Sequence, residues 1–308
     1  MNEKIKLLAD NIEKSVIGKR EVIIKLIAVL LSGGHILIED VPGVGKTRLV
    51  TALSESVNGV CNRIQFTPDL MPSDITGFTM INNAGESEYR QGAAICNFLL
   101  ADEINRASPK AQSALLEIME ELQVSIDGAT HKLPSPFMAL ATQNPVETYG
   151  TYHLPEAQMD RFMMKLSIGY PEASEEMSLL GGDFGKAAKL SAVISLEDIL
   201  ELRKEAENIT VKDSIKKYIV DIVTATRVSE FTLLGASPRG SLALYSVSKA
   251  LALIEGRSYV IPEDVKRSAV DVLSHRLMLS PKGKSVFGTT DALMTDILTK
   301  VPVPAAEI

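Results

Sequence analysis

The sequence predicts an α/β chain, with a five-stranded parallel sheet flanked by helices and then a smaller all-helical segment. Three observations carry this. Short apolar runs alternate with helical stripes up to about residue 180, the pattern of strand–helix–strand units. The first run, Ile36–Glu39, passes through a glycine turn into a helical pattern, the context that a phosphate-binding loop requires. From about Leu196 the strand signals stop and helical spacing dominates. The expected division is an α/β core at 1–180, a connector at 181–195 and a helical domain at 196–308.

Composition narrows the class. The 308 residues are 45% apolar and 23% charged, as in ordinary globular proteins. A net charge of −7 means that a nucleic-acid partner would need a local basic patch, so nucleic acid is not the expected partner. Cys61 and Cys96 are the only cysteines, too few for a disulfide framework and consistent with a reducing, cytoplasmic setting. The longest apolar block, Leu26 to Leu31, is far too short to cross a bilayer.

In chain order, Ile5, Leu8, Ile12 and Val16 recur at helical steps, and after Val16-Ile17-Gly18-Lys19 the pattern resumes with Val22, Leu26, Val29 and Leu30. This helix–turn–helix just before the first strand makes Val16 and Ile17 candidates to pack on a nucleotide base, with ordinary core packing as the alternative. In Pro42-Gly43-Val44-Gly45-Lys46-Thr47-Arg48 the glycines leave room for backbone N–H groups to curl around phosphate. Lys46 would reach the β- and γ-phosphates, and Thr47 would ligate Mg²⁺. The usual first glycine of such a loop falls at Asp40, at the strand exit.

A second strand is expected at Asn62–Phe66. Residues 67–77 are too rich in Pro and Asp for a regular element, and Phe78–Ile81 with Ser87–Arg90 reads as a hairpin. The apolar strand Asn97–Ala101 ends in Asp102-Glu103. At the carboxyl end of a parallel strand, Asp102 would help to hold Mg²⁺ and Glu103 would polarise a water. Ser108-Pro109 opens a helix whose stripe Ala111, Leu115, Ile118, Leu122 is expected to be core. Asp127-Gly128 marks a second hairpin. Phe137–Thr142 is the next strand, ending at Gln143-Asn144, where Asn144 could contact γ-phosphate or water or be a simple turn residue.

Arg161 precedes the fifth strand, Phe162–Ile168. Its planar fork suits developing phosphoryl charge, and a neighbouring subunit is its natural target; an ion pair with Asp160 or Glu156 is the alternative. Gly181-Gly182-Asp183-Phe184-Gly185 reads as a loop within the connector. Ser237-Pro238 starts a later helix and puts Arg239 in its first turn. A cation there opposes the helix dipole, so Arg239 wants an anion, and ATP phosphate would serve. The tail Val301-Pro302-Val303-Pro304 is expected to be extended.

The pieces 39–47, 66–77, 101–107, 141–145 and 154–162, taken together, resemble an AAA+ ATPase, and specifically the MoxR family, over residues 5 to 280. The resemblance implies an AAA+ P-loop core with β-hairpin inserts and a small all-α lid. It makes Lys46 and Thr47 Walker A, Asp102 and Glu103 Walker B, Asn144 sensor 1, Arg161 an arginine finger and Arg239 sensor 2. ATP and Mg²⁺ are the implied cofactors. A ring, most often of six subunits, is implied, with chaperone-like action on client proteins that often carry a von Willebrand factor A domain. A nucleic-acid-remodelling ring and a nucleotide-gated platform with little turnover are the alternatives.

Overall fold

Two amphipathic helices open the chain. α1 (Glu3–Glu13) buries Ile5, Leu8 and Ile12 and is capped by Asn2, whose side-chain oxygen accepts from the Lys4 N–H at 3.1 Å. α2 (Arg20–Leu31) is buried along most of its length, from Ile23 to Leu31. The computed structural model describes residues 1–41, 43–83, 85–144, 151–171, 177 and 190–304. The sheet strands are β1 (Ile36–Glu39), β2 (Cys61–Gln65), β5 (Phe98–Asp102), β8 (Met138–Gln143) and β9 (Met164–Leu166). Their order across the sheet is β2-β5-β8-β1-β9, and every pairing is parallel.

Alternation along the strands explains why this sheet is buried on both faces. Ile36 and Ile38, Phe98 and Leu100, Met138 and Leu140 enter one apolar cluster. Leu37, Leu99, Ala101, Ala139 and Ala141 enter the other. α3 (Lys46–Ser56) packs on the first side and α5 (Pro109–Glu121) on the second. The first cluster continues into the helical segment through Leu202, Ile219, Leu251 and Val272, so that segment shares a core with the sheet.

Two antiparallel hairpins project from this frame: β3 (Gly77–Ile81) with β4 (Ser87–Gln91), and β6 (Gln123–Ile126) with β7 (Ala129–Lys132). The rings of Tyr89 and His131 stack at 3.9 Å between centroids and tie one hairpin to the other. The helical segment comprises α7 (Leu196–Glu207), α8 (Asp213–Val228), α9 (Pro238–Ile254), α10 (Pro262–Leu273), α11 (Pro281–Phe287) and α12 (Thr290–Lys300), with α6 (Glu156–Met159) lying earlier, before β9.

Four local expectations change. The stretch read as irregular contains a short helix, α4 (Pro72–Thr76): Pro72 presets its first turn, and Asp74 accepts from the Met71 N–H at 2.8 Å. Leu122 is not core. It closes α5 in the left-handed region and is 48% exposed, while Leu116 and Met119 are buried instead. The helical segment carries a small strand pair, β10 (Thr232–Leu234) with β11 (Met278–Leu279). Val301 of the expected extended tail closes α12 and is buried. The glycine-rich connector loop at 181–185 lies outside the described residues, but Val193 N–H bonds the Ser56 carbonyl at 2.8 Å, so the chain entering α7 is seated on the end of α3.

Candidate functional site

The carboxyl ends of β1, β5 and β8 lie side by side: Glu39 registers with Gln143, and Ala101 with Ala141. At the end of β1, Gly43 and Gly45 hold φ of +89° and +93°, and a Cβ at either would be strained whatever the space around it. The curl delivers Lys46 and Thr47 as the first residues of α3, with Gly43 and Thr47 exposed. Backbone N–H groups of a helix start, presented to solvent, form an anion site. Pro42 lies outside the described residues.

Lys46 Nζ donates to the Asp40 carbonyl at 2.7 Å, at the loop's own base. Burial lowers its pKa from the ordinary lysine value, against the pull of Asp40, Asp102 and Glu103. Asp40 explains itself: its carboxylate accepts from Ser167 Oγ at 2.8 Å and from the N–H groups of Ile168 at 2.5 Å and Gly169 at 3.3 Å. The residue in place of the usual glycine therefore fastens the loop to the chain leaving β9.

Thr142 on β8 joins the two acidic residues. Its hydroxyl donates to Asp102 at 2.5 Å and accepts from the Glu103 N–H at 2.9 Å. Glu103 itself sits at φ +55°, a left-handed conformation uncommon for a non-glycine residue and typical of functional sites. Its carboxylate accepts from Gln65 and Arg106, each at 2.8 Å, while Arg63 pairs with Asp102 at 2.7 Å. Asn144 leaves β8 in the same region and is buried. Sequence reasoning missed Thr142, Arg63, Gln65 and Arg106. The signal for two of them was strand alternation: residues 63 and 65 share one face of β2, and Gln65 registers with Asp102.

Val16 is buried and Ile17 is 58% exposed in the turn between α1 and α2. Arg48 does not turn its side chain to the loop: its Nε donates to the Ser15 carbonyl at 2.6 Å and sits 3.1 Å from the Ser15 hydroxyl. It thereby joins α3 to the turn that carries Val16 and Ile17.

The structure does not bring Arg161 and Arg239 to this end of the sheet. Both lie at the amino-terminal edge, around a cavity of about 290 Å³ that also involves Gly34, His35 and Glu120. The ion-pair partner of Arg161 is neither Asp160 nor Glu156 but Glu120, at 2.9 Å. Arg239 pairs with the same Glu120, at 2.6 Å. The four residues of β1 put ~13 Å of strand between this edge and the chain's own phosphate loop. His35 locks the edge: its ring nitrogens lie 2.9 Å from the Met119 carbonyl and 3.0 Å from the Ala139 N–H. One ring nitrogen must donate and the other accept, so the ring is neutral, and burial pushes its pKa down to about 4.

The descriptions "ATPase family associated with various cellular activities (AAA)" and "AAA lid domain" match residues 35–164 and 224–297. Parallel sheet, glycine loop and helical lid together define an AAA+ ATPase. YeaC of Bacillus subtilis is 49% identical over 298 residues, 96% of this chain and 93% of the relative. The chaperone MoxR1 of Mycobacterium tuberculosis is 43% identical over 303 residues, 95% of this chain and 78% of that one. With these relatives the chain belongs to the MoxR family of AAA+ ATPases. A crystal structure of a protein from Cytophaga hutchinsonii superimposes with a TM-score of 0.91 at 41% identity, covering 98% of this chain and 95% of that chain.

Proposed function

We propose that this ATPase hydrolyses ATP in clefts that two copies build jointly within a ring of identical subunits, and that turnover drives chaperone-like remodelling of client proteins. The observation that carries this reading is the split between the sheet edges. The phosphate loop and the Asp102-Glu103 pair occupy one edge, and Arg161 and Arg239 the other. With 32% and 50% of their side chains exposed, these arginines can meet the loop of a second copy.

In this reading the loop N–H groups and Lys46 bind the phosphates. Thr47 and Asp102 would hold Mg²⁺; a hydroxyl, one carboxylate and substrate oxygens suit this ion, which is seldom caged by protein alone. Among the described residues no cluster of three metal-ligating side chains competes for that role. When bound, Mg²⁺ supplies charge neutralisation at the β- and γ-phosphates. Glu103 orients and polarises the attacking water, with Asn144 beside it. Arg161 and Arg239 from the next subunit stabilise the developing charge.

Val16 and Ile17 flank the base, and Arg48 fixes their turn. The β3–β4 hairpin, which exposes Phe78, Met80 and Ile81, faces the client. Its stacked contact with β6–β7 supports joint movement of the two hairpins. A ring of six, a client with a von Willebrand factor A domain and a cytoplasmic setting complete the reading. Among the described residues no helix is long and apolar enough to cross a membrane.

The test uses two inactive variants. Arg161→Ala lacks the finger and Lys46→Ala lacks the loop lysine. An arginine finger contributes roughly 10³–10⁵ in rate, so each variant alone is expected to be inactive. Mixed rings should regain turnover where an intact loop faces an intact finger. Proven mixed rings without recovery would remove Arg161 from the neighbour's site.

A further inference from the structure

Asp160 stands next to Arg161 in the chain and is mostly buried, with 16% of its side chain exposed. One carboxylate oxygen accepts from Arg276 Nε at 2.9 Å, and the other from the Ser237 hydroxyl at 2.8 Å. Ser237 is the cap of α9 and accepts from the Arg239 N–H at 3.1 Å. The backbone of Arg239 is thus linked through one hydroxyl and one carboxylate to the residue preceding Arg161.

Arg276 comes from the turn after α10 and has 2% of its side chain exposed. Its guanidinium donates to the carbonyls of Phe162 at 2.7 Å, Asp160 at 3.2 Å and Met163 at 3.2 Å, and also to Val272. Every carbonyl it meets on the sheet side lies within three residues of Arg161. A buried arginine fork of this kind tolerates little displacement. Beyond this latch, Glu120 takes Arg161 on one oxygen and Arg239 on the other.

We propose that Asp160 is a positioning residue: it joins the lid to the segment carrying Arg161, so that Arg161 and Arg239 are presented to the neighbouring subunit at one fixed spacing. A shift of the lid then moves both arginines together. The proposal rests on the reading that these arginines serve the neighbour's ATP. It assigns Asp160 no contact with nucleotide.

The experiment is steady-state ATPase kinetics on assembled protein, with Asp160→Ala, Asp160→Asn and Arg161→Ala compared, alone and mixed with Lys46→Ala. Misplacing a reacting group by about 1 Å costs about 10²-fold, so Asp160→Ala should lose about 10²-fold in kcat. KM for ATP should stay within about twofold, because the chain's own phosphate loop lies at the other edge. Asp160→Asn keeps one acceptor oxygen for Arg276 and turns a donor towards the Ser237 hydroxyl, which can accept it, so it is expected to lose less.

Mixing Asp160→Ala with Lys46→Ala should restore turnover, since the Lys46→Ala subunit presents an intact latch to an intact loop. A merely structural role would depress ATP binding by the variant's own loop, and mixing would not rescue it. Full kcat in Asp160→Ala, or loss without rescue in rings where Arg161→Ala is rescued, overturns the proposal alone. Full activity of Arg161→Ala overturns the reading beneath it. If Asp160→Ala does not fold, Asp160→Asn carries the same comparison, and an unchanged kcat there is the overturning result.

Discussion

The two edges of the sheet are built in opposite ways. At the carboxyl edge the scaffold is local, a glycine curl, a helix start and Thr142 bonded to two consecutive acidic residues, and even the long Lys46 is tied to the backbone carbonyl of Asp40. At the amino edge the groups are long arginines held by carboxylates that arrive from separate elements. Short side chains on backbone scaffolds fix a substrate to within a fraction of an ångström. Long, charged ones reach across a boundary and can be redirected. The first construction suits a resident site, and the second suits a surface offered to another copy.

The largest effect that tests this contrast is at the resident site. Glu103→Gln should still bind ATP while turnover falls about 10²–10⁴-fold, the usual contribution of an acid–base group; nucleotide affinity and kcat measured on one preparation check it. Undiminished turnover would remove Glu103 from the role assigned to it.

At the other edge, the buried His35 makes stability depend on pH. Its folded-state pKa of about 4 lies below the ordinary 6.5, so its contribution is complete above pH 6.5 and is lost as pH falls towards 4. The loss approaches roughly 3 kcal/mol for this one group. Thermal melts should show Tm falling through that window, and falling less steeply in His35→Gln, which cannot titrate. Parallel slopes would separate the edge's integrity from this histidine.

The smallest effect is at Asp40. Restoring the residue that such loops usually carry, as Asp40→Gly, leaves the Ser167 hydroxyl and two N–H groups without their acceptor. It should cost about 1–3 kcal/mol of stability, read as a lowered Tm. An unchanged or raised Tm would mean that the loop does not need its anchor to the chain after β9.

The contrast also explains what could be read from the linear chain. The carboxyl edge was legible because its chemistry is local: residues 43–47 lie within one turn and 102–103 are adjacent, so spacing alone exposes them. Thr142 escaped notice because its partners lie 39 and 40 positions away. The amino edge gathers residues 35, 120, 160, 239 and 276, and no sequence period relates them. Arg161 and Arg239 were singled out as cations in unusual places, but their common carboxylate, Glu120, reads in the sequence as one more acid on an exposed helix end. Leu122 failed for a related reason: the stripe continued on paper after the helix had stopped at Glu121.

Glu120 has one further consequence. Two like charges held close together repel, and a lone subunit would have to hold them apart in water. The shared carboxylate settles that before any neighbour arrives. In the proposed ring, docking would become an exchange of counter-ions, carboxylate for phosphate, and a subunit facing an empty cleft would have nothing better to trade for. On that reading, occupancy next door would be felt as a change in which anion the pair prefers.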